Sequence, residues 1–118
     1  MGNWFDLRRN NGFQIKRALV NLVNNAFDAS DKGRNVAIRV FSAKNYLVIK
    51  IKDNGSGMDR ETLENVFVPF YSKKNDETGL GMSIAKKIIG AHQGNIVIDS
   101  QLAVGTEVTI RLPYKTNS

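Results

Sequence analysis

Three groups of polar residues in this sequence have the types and spacing to hold a charged, ring-bearing ligand. The first is Asp53-Asn54-Gly55-Ser56-Gly57-Met58, at the end of an alternating run. Leu47, Ile49 and Ile51 share one face of that run and Lys50 and Lys52 the other, so a period of two carries Asp53 to the apolar side. A carboxylate aimed at a core needs a donor, because an unpaired buried charge is expensive. Glycines at 55 and 57 let the backbone turn sharply beside that donor, and an amino-bearing ring such as adenine would supply it. An Asp-Asn-Gly turn that merely ends a strand would use the same residues.

The second group is Asn21, Asn25 and Asp28, at i, i+4 and i+7, which a helical turn of ~100° per residue aligns in one stripe. A neutral amide oxygen at the edge of a core can give a hard cation one ligand while phosphates and water supply the rest, the usual manner of holding Mg²⁺ beside a nucleotide. Asparagine is a poor helix former, so Asn21, Asn24 and Asn25 in one short span carry a propensity cost that function would explain. The third group is Thr78-Gly79-Leu80-Gly81-Met82, which runs straight into a helical pattern. Free N–H groups and the helix dipole favour phosphate at such a place, and Lys73 and Lys74 stand just before it. Thr106 repeats the logic of Asp53, being in phase with Val108, Ile110 and Leu112, so its hydroxyl points inward where it could help anchor a purine.

These groups must be positioned by regular elements. Ile15, Leu19, Leu22 and Ala26 predict a helix over Phe13 to Ala29, with the asparagine stripe bordering its apolar face. Val36 to Phe41 and Tyr46 to Asp53 read as a hairpin around Ala43-Lys44-Asn45, and Arg60 to Val66 as a short helix. Residues 67 to 80 have no period, and Phe67, Pro69, Phe70 and Tyr71 at their start would hinge and seat that stretch as a lid. Gly81 to His92 predicts a second long helix with Ala85, Ile88 and Ile89 inward and Gly94 as a left-handed stop. Strands over Asn95 to Ser100 and Thr106 to Leu112 close the chain.

The 118 residues suit one small domain, and the lack of cysteine excludes a disulfide framework or a zinc–thiolate site. The formal charge is +6 and the pI about 9.8, but the basic residues are dispersed in pairs such as Arg8-Arg9, Lys73-Lys74 and Lys86-Lys87. No nucleic-acid stripe is expected from that dispersal. With no long apolar run, a cytoplasmic, monomeric module is the default expectation.

The order Asn21-Leu22-Val23-Asn24-Asn25-Ala26, Asp53-Asn54-Gly55-Ser56-Gly57-Met58, Phe67-Val68-Pro69-Phe70, Thr78-Gly79-Leu80-Gly81-Met82 and Gly105-Thr106 resembles the catalytic, ATP-binding domain of two-component sensor histidine kinases. Each motif is modest, but five in this order are specific. The resemblance covers residues 13–113, leaving 1–12 as an extension or linker and 114–118 as a tail. It implies an α+β sandwich of the Bergerat type, with three helices on a mixed, mostly antiparallel sheet and ATP between the long helices under a mobile lid. It assigns Asn25 to Mg²⁺ with Asn21 nearby, Asp53 to the adenine amino group, and Gly55, Gly57, Met58 and Thr106 to the adenine surroundings. Thr78, Gly79, Leu80, Gly81 and Met82 would line the phosphates, with Lys73 as the lid's phosphate contact and Phe70 beside the nucleotide. Asn25-Ala26-Phe27-Asp28-Ala29 looks more like nitrogen-regulation-type kinases, which would put Asp28 at the nucleotide edge.

The resemblance further implies transfer of the γ-phosphoryl group to a histidine on a separate dimerisation domain, and from there to a response regulator. The parent protein of such a domain is in some cases membrane-anchored. Two departures stand out: Glu77 replaces the usual first glycine of the glycine motif, and no phosphoacceptor dimerisation domain is expected in this chain, whose only histidine, His92, lacks the acidic neighbour and proline of an acceptor motif. Fold relatives that hydrolyse ATP or phosphorylate serine place a glutamate base where this chain has Asn21, and an amide cannot take that proton. A nucleotide-sensing domain without transfer activity is the other reading that the altered glycine motif allows.

Overall fold

The computed structural model describes residues 10–29, 35–69, 71 and 81–113, with side chains over residues 14–27 of the first helix. Helix α1 spans Asn10–Ala29, three residues longer at its start than the sequence period suggests. Its buried stripe is Ile15, Ala18, Leu22 and Ala26, with Leu19 and Val23 only partly covered. The centre of the face therefore lies nearer Ala18 than Leu19, because a small residue lets the helix approach its neighbour closely.

Strands β1 (Val36–Ala43) and β2 (Tyr46–Asp53) form the expected hairpin, but the strands continue to Ala43 and the loop is only Lys44-Asn45. Both loop residues have positive φ, 49° and 71°, the backbone of a tight turn that matches strand twist. Helix α2 (Arg60–Glu64) is capped by Asp59, whose side chain accepts from the Thr62 N–H at 2.8 Å. Helix α3 (Gly81–Ala91) buries Ala85, Ile88 and Ile89, the three residues its spacing predicts. Its end differs from expectation: the left-handed residue is Gln93 at φ 64°, not Gly94. The Gly94 N–H reaches the Ile89 carbonyl at 2.9 Å and the Gln93 N–H reaches Gly90 at 2.9 Å, a Schellman closure. Gly94 is needed for a different reason, since a Cβ there would run into the Arg111 carbonyl oxygen.

Strands β3 (Asn95–Gln101) and β4 (Gly105–Pro113) complete a four-stranded sheet in the order β1-β2-β4-β3. The mostly antiparallel sheet implied by the resemblance is antiparallel in every described pairing. α1 packs on α3 and lies over β2, and α3 lies over β3, so α1 and α3 form one layer on one sheet face. The core between the layers joins Ile15, Leu22, Ile88 and Ile89 to Ile49, Ile51, Val108, Ile110 and Leu112. Each such side chain contributes about 1.5–3 kcal/mol by leaving water. No described helix is long and apolar enough to cross a membrane.

Candidate functional site

Alternation along β2 and β4 carries one polar side chain from each into the core layer, and the register makes them neighbours. Asp53 and Thr106 are directly opposite, 6% and 7% exposed, and are the only polar side chains in the described interior. The Asp53 Oδ1 accepts the Gly55 N–H at 2.8 Å, so one carboxylate oxygen stabilises the turn that follows. No described donor reaches the second oxygen. The turn reading and the ligand reading of this aspartate thus use different oxygens of the same group.

Residues 54–58 are held against the β3–β4 turn. Met58 N–H donates to Ser100 Oγ at 2.9 Å, and Ala103 N–H donates to the Ser56 carbonyl at 2.7 Å. Gly57, at φ 71°, lies so close to this turn that a Cβ would collide with the Gln101 carbonyl. Gly105, at φ 143°, approaches the Asp53 carbonyl in the same way. These two glycines have a backbone reason to be glycine: any side chain would push the loop away from the buried carboxylate.

Ser100 is the residue that sequence reasoning missed. Its Oγ lies 2.7 Å from Thr106 Oγ1 and can donate to the Gly105 carbonyl at 3.3 Å. One hydroxyl therefore joins the loop at Met58, the turn at Gly105 and the inward hydroxyl of Thr106. The signal was present, because Ser100 is in inward phase with Ile96 and Ile98 as Thr106 is with Val108. Its pairing with Thr106 depended on a register that a single strand does not reveal.

Asn21 and Asn25 are half-buried on α1 while Asn24 is exposed, which places the amide stripe at the edge of the core as its phase requires. α1 contacts both β2 and α3, so the asparagine-bearing helix adjoins the strand that ends in Asp53 and the helix that begins at Gly81. At Gly81, the first residue of α3, a Cβ would meet nothing within 4 Å. Met82 packs partly on the core. Phe67 is fixed by α3, with Lys86 Nζ 4.6 Å from its ring centroid. Phe70, Lys73, Thr78, Gly79, Leu80 and Glu77 lie outside the described residues, as does the Asp28 side chain. His92 is half-buried with Nδ1 2.8 Å from the Ile88 carbonyl, a contact that requires the proton on Nδ1 because a carbonyl only accepts.

The chemistry of the donor set suits a purine with an exocyclic amino group, and the half-buried amides suit a hard cation, although no described acidic or histidine cluster could hold a metal unaided. Comparison with known proteins gives the same direction. The profile of the histidine kinase-, DNA gyrase B- and HSP90-like ATPase family matches residues 10–116. Sporulation kinase C of Bacillus subtilis (strain 168) is 36% identical over 105 residues, covering 89% of this chain and 24% of that kinase. The structure of a mycobacterial sensor histidine kinase, MprB, superposes with a TM-score of 0.78 at 26% identity, over 86% of this chain and 73% of that one. The catalytic domain of the histidine kinase ThkA gives 0.76 at 29% identity, over 86% and 66%. The chain spans about a quarter of the length of such a curated relative. Residues 10–116 belong to the histidine kinase-, DNA gyrase B- and HSP90-like ATPase family, with the fold of the sensor histidine kinase catalytic domains.

Proposed function

We propose that the chain binds Mg-ATP and donates its γ-phosphoryl group to a histidine on a separate helical dimerisation domain, with a response regulator receiving the group afterwards. The observation that carries this reading is Asp53: a carboxylate 6% exposed, with one oxygen satisfied by Gly55 and the other without a described donor. An adenine amino group supplies that donor, whereas guanine presents a carbonyl oxygen there and repels it. Thr106, hydrogen-bonded to Ser100, stands beside it to fix the ring. Asn25, with Asn21 one turn earlier, offers amide oxygen to the cation, and Gly81 with the preceding Thr78-Gly79-Leu80 offers N–H groups to phosphate. Mg²⁺, when bound, neutralises charge on the phosphate oxygens.

In the transfer, a neutral imidazole nitrogen forms a bond to the γ-phosphorus while the bond to the β,γ-bridging oxygen breaks, and ADP leaves with the electron pair. An imidazole is already a nucleophile at neutral pH, so this chain's contribution is alignment, with Asn25 to hold the Mg²⁺ and Lys73 to stabilise charge. Asn21 cannot act as a base, which fits transfer to histidine better than hydrolysis or serine phosphorylation. His92 is a poor acceptor because, with its proton on Nδ1, the nucleophilic lone pair lies on Nε2, which is buried from solvent.

Calorimetry with Mg-ATP, Mg-ADP and Mg-GTP, followed by incubation with a cognate dimerisation domain, tests both halves. ATP and ADP should bind, GTP should not, and acid-labile phosphate should accumulate on the acceptor histidine. Equal binding of GTP removes the adenine assignment. Tight ATP binding without labelling would leave a nucleotide-sensing module instead. Asn25→Ala should lower affinity for Mg-ATP by roughly tenfold, about 1.4 kcal/mol, while leaving metal-free binding nearly unchanged. Equal losses with and without metal would remove the ligand role.

A further inference from the structure

The sheet face opposite the helices carries a cluster for which the nucleotide reading has no use. Alternation puts Arg39 and Phe41 of β1, Tyr46, Val48, Lys50 and Lys52 of β2, and Arg111 of β4 on this side. None of them belongs to the core cluster that the helices cover. Arg39 stands directly opposite Lys50, and Arg111, opposite Val48, is the diagonal neighbour of Lys50, so three cations cluster on three neighbouring strands. Like charges directly opposite one another destabilise a sheet, and no described carboxylate forms an ion pair with Arg39, Lys50 or Arg111. Lys50 is drawn across the sheet, its Nζ donating to Thr109 Oγ1 at 3.2 Å.

The two arginines are held in a particular way. The Arg39 guanidinium lies over the Phe41 ring at 5.4 Å and that of Arg111 over Tyr46 at 5.9 Å. Stacking on a ring orders the planar group while leaving its N–H edge to the solvent, so the fork that pairs bidentately with an oxyanion is already oriented. Between them Val48, directly opposite Phe41 on one side and Arg111 on the other, is only 3% exposed although it is no part of the core under the helices. The rings themselves remain more than a third exposed and provide apolar surface between the charges.

From this arrangement we infer that the outer face of β1, β2 and β4 is a docking surface for an acidic polypeptide segment, its carboxylates taken by Arg39, Lys50 and Arg111 and its apolar side chains by Phe41 and Tyr46. The extent of the patch selects a peptide over a nucleic acid. Glu107 of β4, directly opposite Lys52, and Asp99 of β3 lie on the same face, so the positive area is confined to the stretch around Arg39, Lys50 and Arg111, about 10 Å across. A phosphate backbone needs a longer track of cations than this patch supplies, whereas a short acidic segment can be met by three.

The test uses the intact chain and a fluorescein-labelled octapeptide of alternating glutamate and alanine, with a labelled twelve-nucleotide oligothymidylate in parallel. Arg39→Glu with Arg111→Glu should weaken peptide binding at least tenfold. Lys16→Glu with Lys87→Glu, which changes the net charge equally on the exposed faces of α1 and α3, should alter it less than twofold. In the wild-type chain the peptide should shift backbone amide resonances of β1, β2 and β4, a readout that does not depend on any variant folding. No saturable peptide binding, equal losses in the two charge-reversed pairs, shifts centred on the helices, or tighter binding of the oligothymidylate would each overturn the inference.

Discussion

At the level of single residues, the site depends on how two polar groups can be kept inside a sheet of apolar neighbours. Asp53 is tolerated because its first oxygen has a backbone donor at 2.8 Å, and a charge-assisted bond of that kind contributes about 1.5–3 kcal/mol. Asp53→Asn keeps an acceptor for Gly55 but presents an amide of mixed polarity to the ring. We expect a roughly 10–100-fold loss of ATP affinity and a collapse of the ATP-over-GTP preference, measured by competition binding. Unchanged discrimination would remove Asp53 from base recognition. Ser100 acts differently, since it touches the loop and Thr106 rather than offering itself to the ligand. Ser100→Ala leaves the Met58 N–H without its acceptor at a cost of about 1–3 kcal/mol, seen as a lowered melting temperature and faster hydrogen exchange at Met58. Exchange at Met58 as slow as in the parent chain would mean that the loop is held without Ser100.

At the level of elements, what could be read from sequence depended on whether the deciding physics was local. The inward faces of α3, β2 and β4 follow from periodicity alone, because one period sets burial and nothing competes with it. The periodicity of α1 puts the centre of its face slightly to one side because Ala18 adds little hydrophobic signal yet is fully buried. The two-residue turn at Lys44-Asn45 is not legible in the sequence since lysine rarely adopts positive φ, and only the pairing of Ala43 with Tyr46 imposes it. Gln93 rather than Gly94 adopts the left-handed backbone, and the contact that excludes a side chain at Gly94 comes from β4, distant in sequence. Two substitutions separate these uses of glycine. Gly90 is exposed within α3 and a Cβ there meets nothing within 4 Å, so Gly90→Ala should stabilise by about 0.5–1 kcal/mol through helix propensity. Gly94→Ala, driven against the Arg111 carbonyl, should destabilise by about 1–3 kcal/mol. Denaturant midpoints compare them, and equal effects would mean that β4 yields to the added methyl.

At the level of the whole molecule, the proposed nucleotide site would be assembled from parts far apart in the chain. Asn25 is carried by α1, Asp53 ends β2, Gly81 begins α3 and Thr106 is the second residue of β4. A ligand that bridges these elements binds the folded chain and has no site in the unfolded one, so it must raise stability by mass action. At one hundred times its dissociation constant Mg-ATP should add about 2.7 kcal/mol. For a domain of this size that corresponds to a rise in melting temperature on the order of 10 °C. Mg-GTP at the same concentration should move the transition little, because the purine that presents a carbonyl to Asp53 forfeits the anchoring bond. The same samples should release phosphate only slowly, since Asn21 offers no base to activate water. Rapid steady-state release that Asn21→Ala abolishes would transfer the chain to the hydrolysing branch of its family. A nucleotide-induced rise in melting temperature that survived Asp53→Asn unchanged would move the binding site elsewhere on the fold.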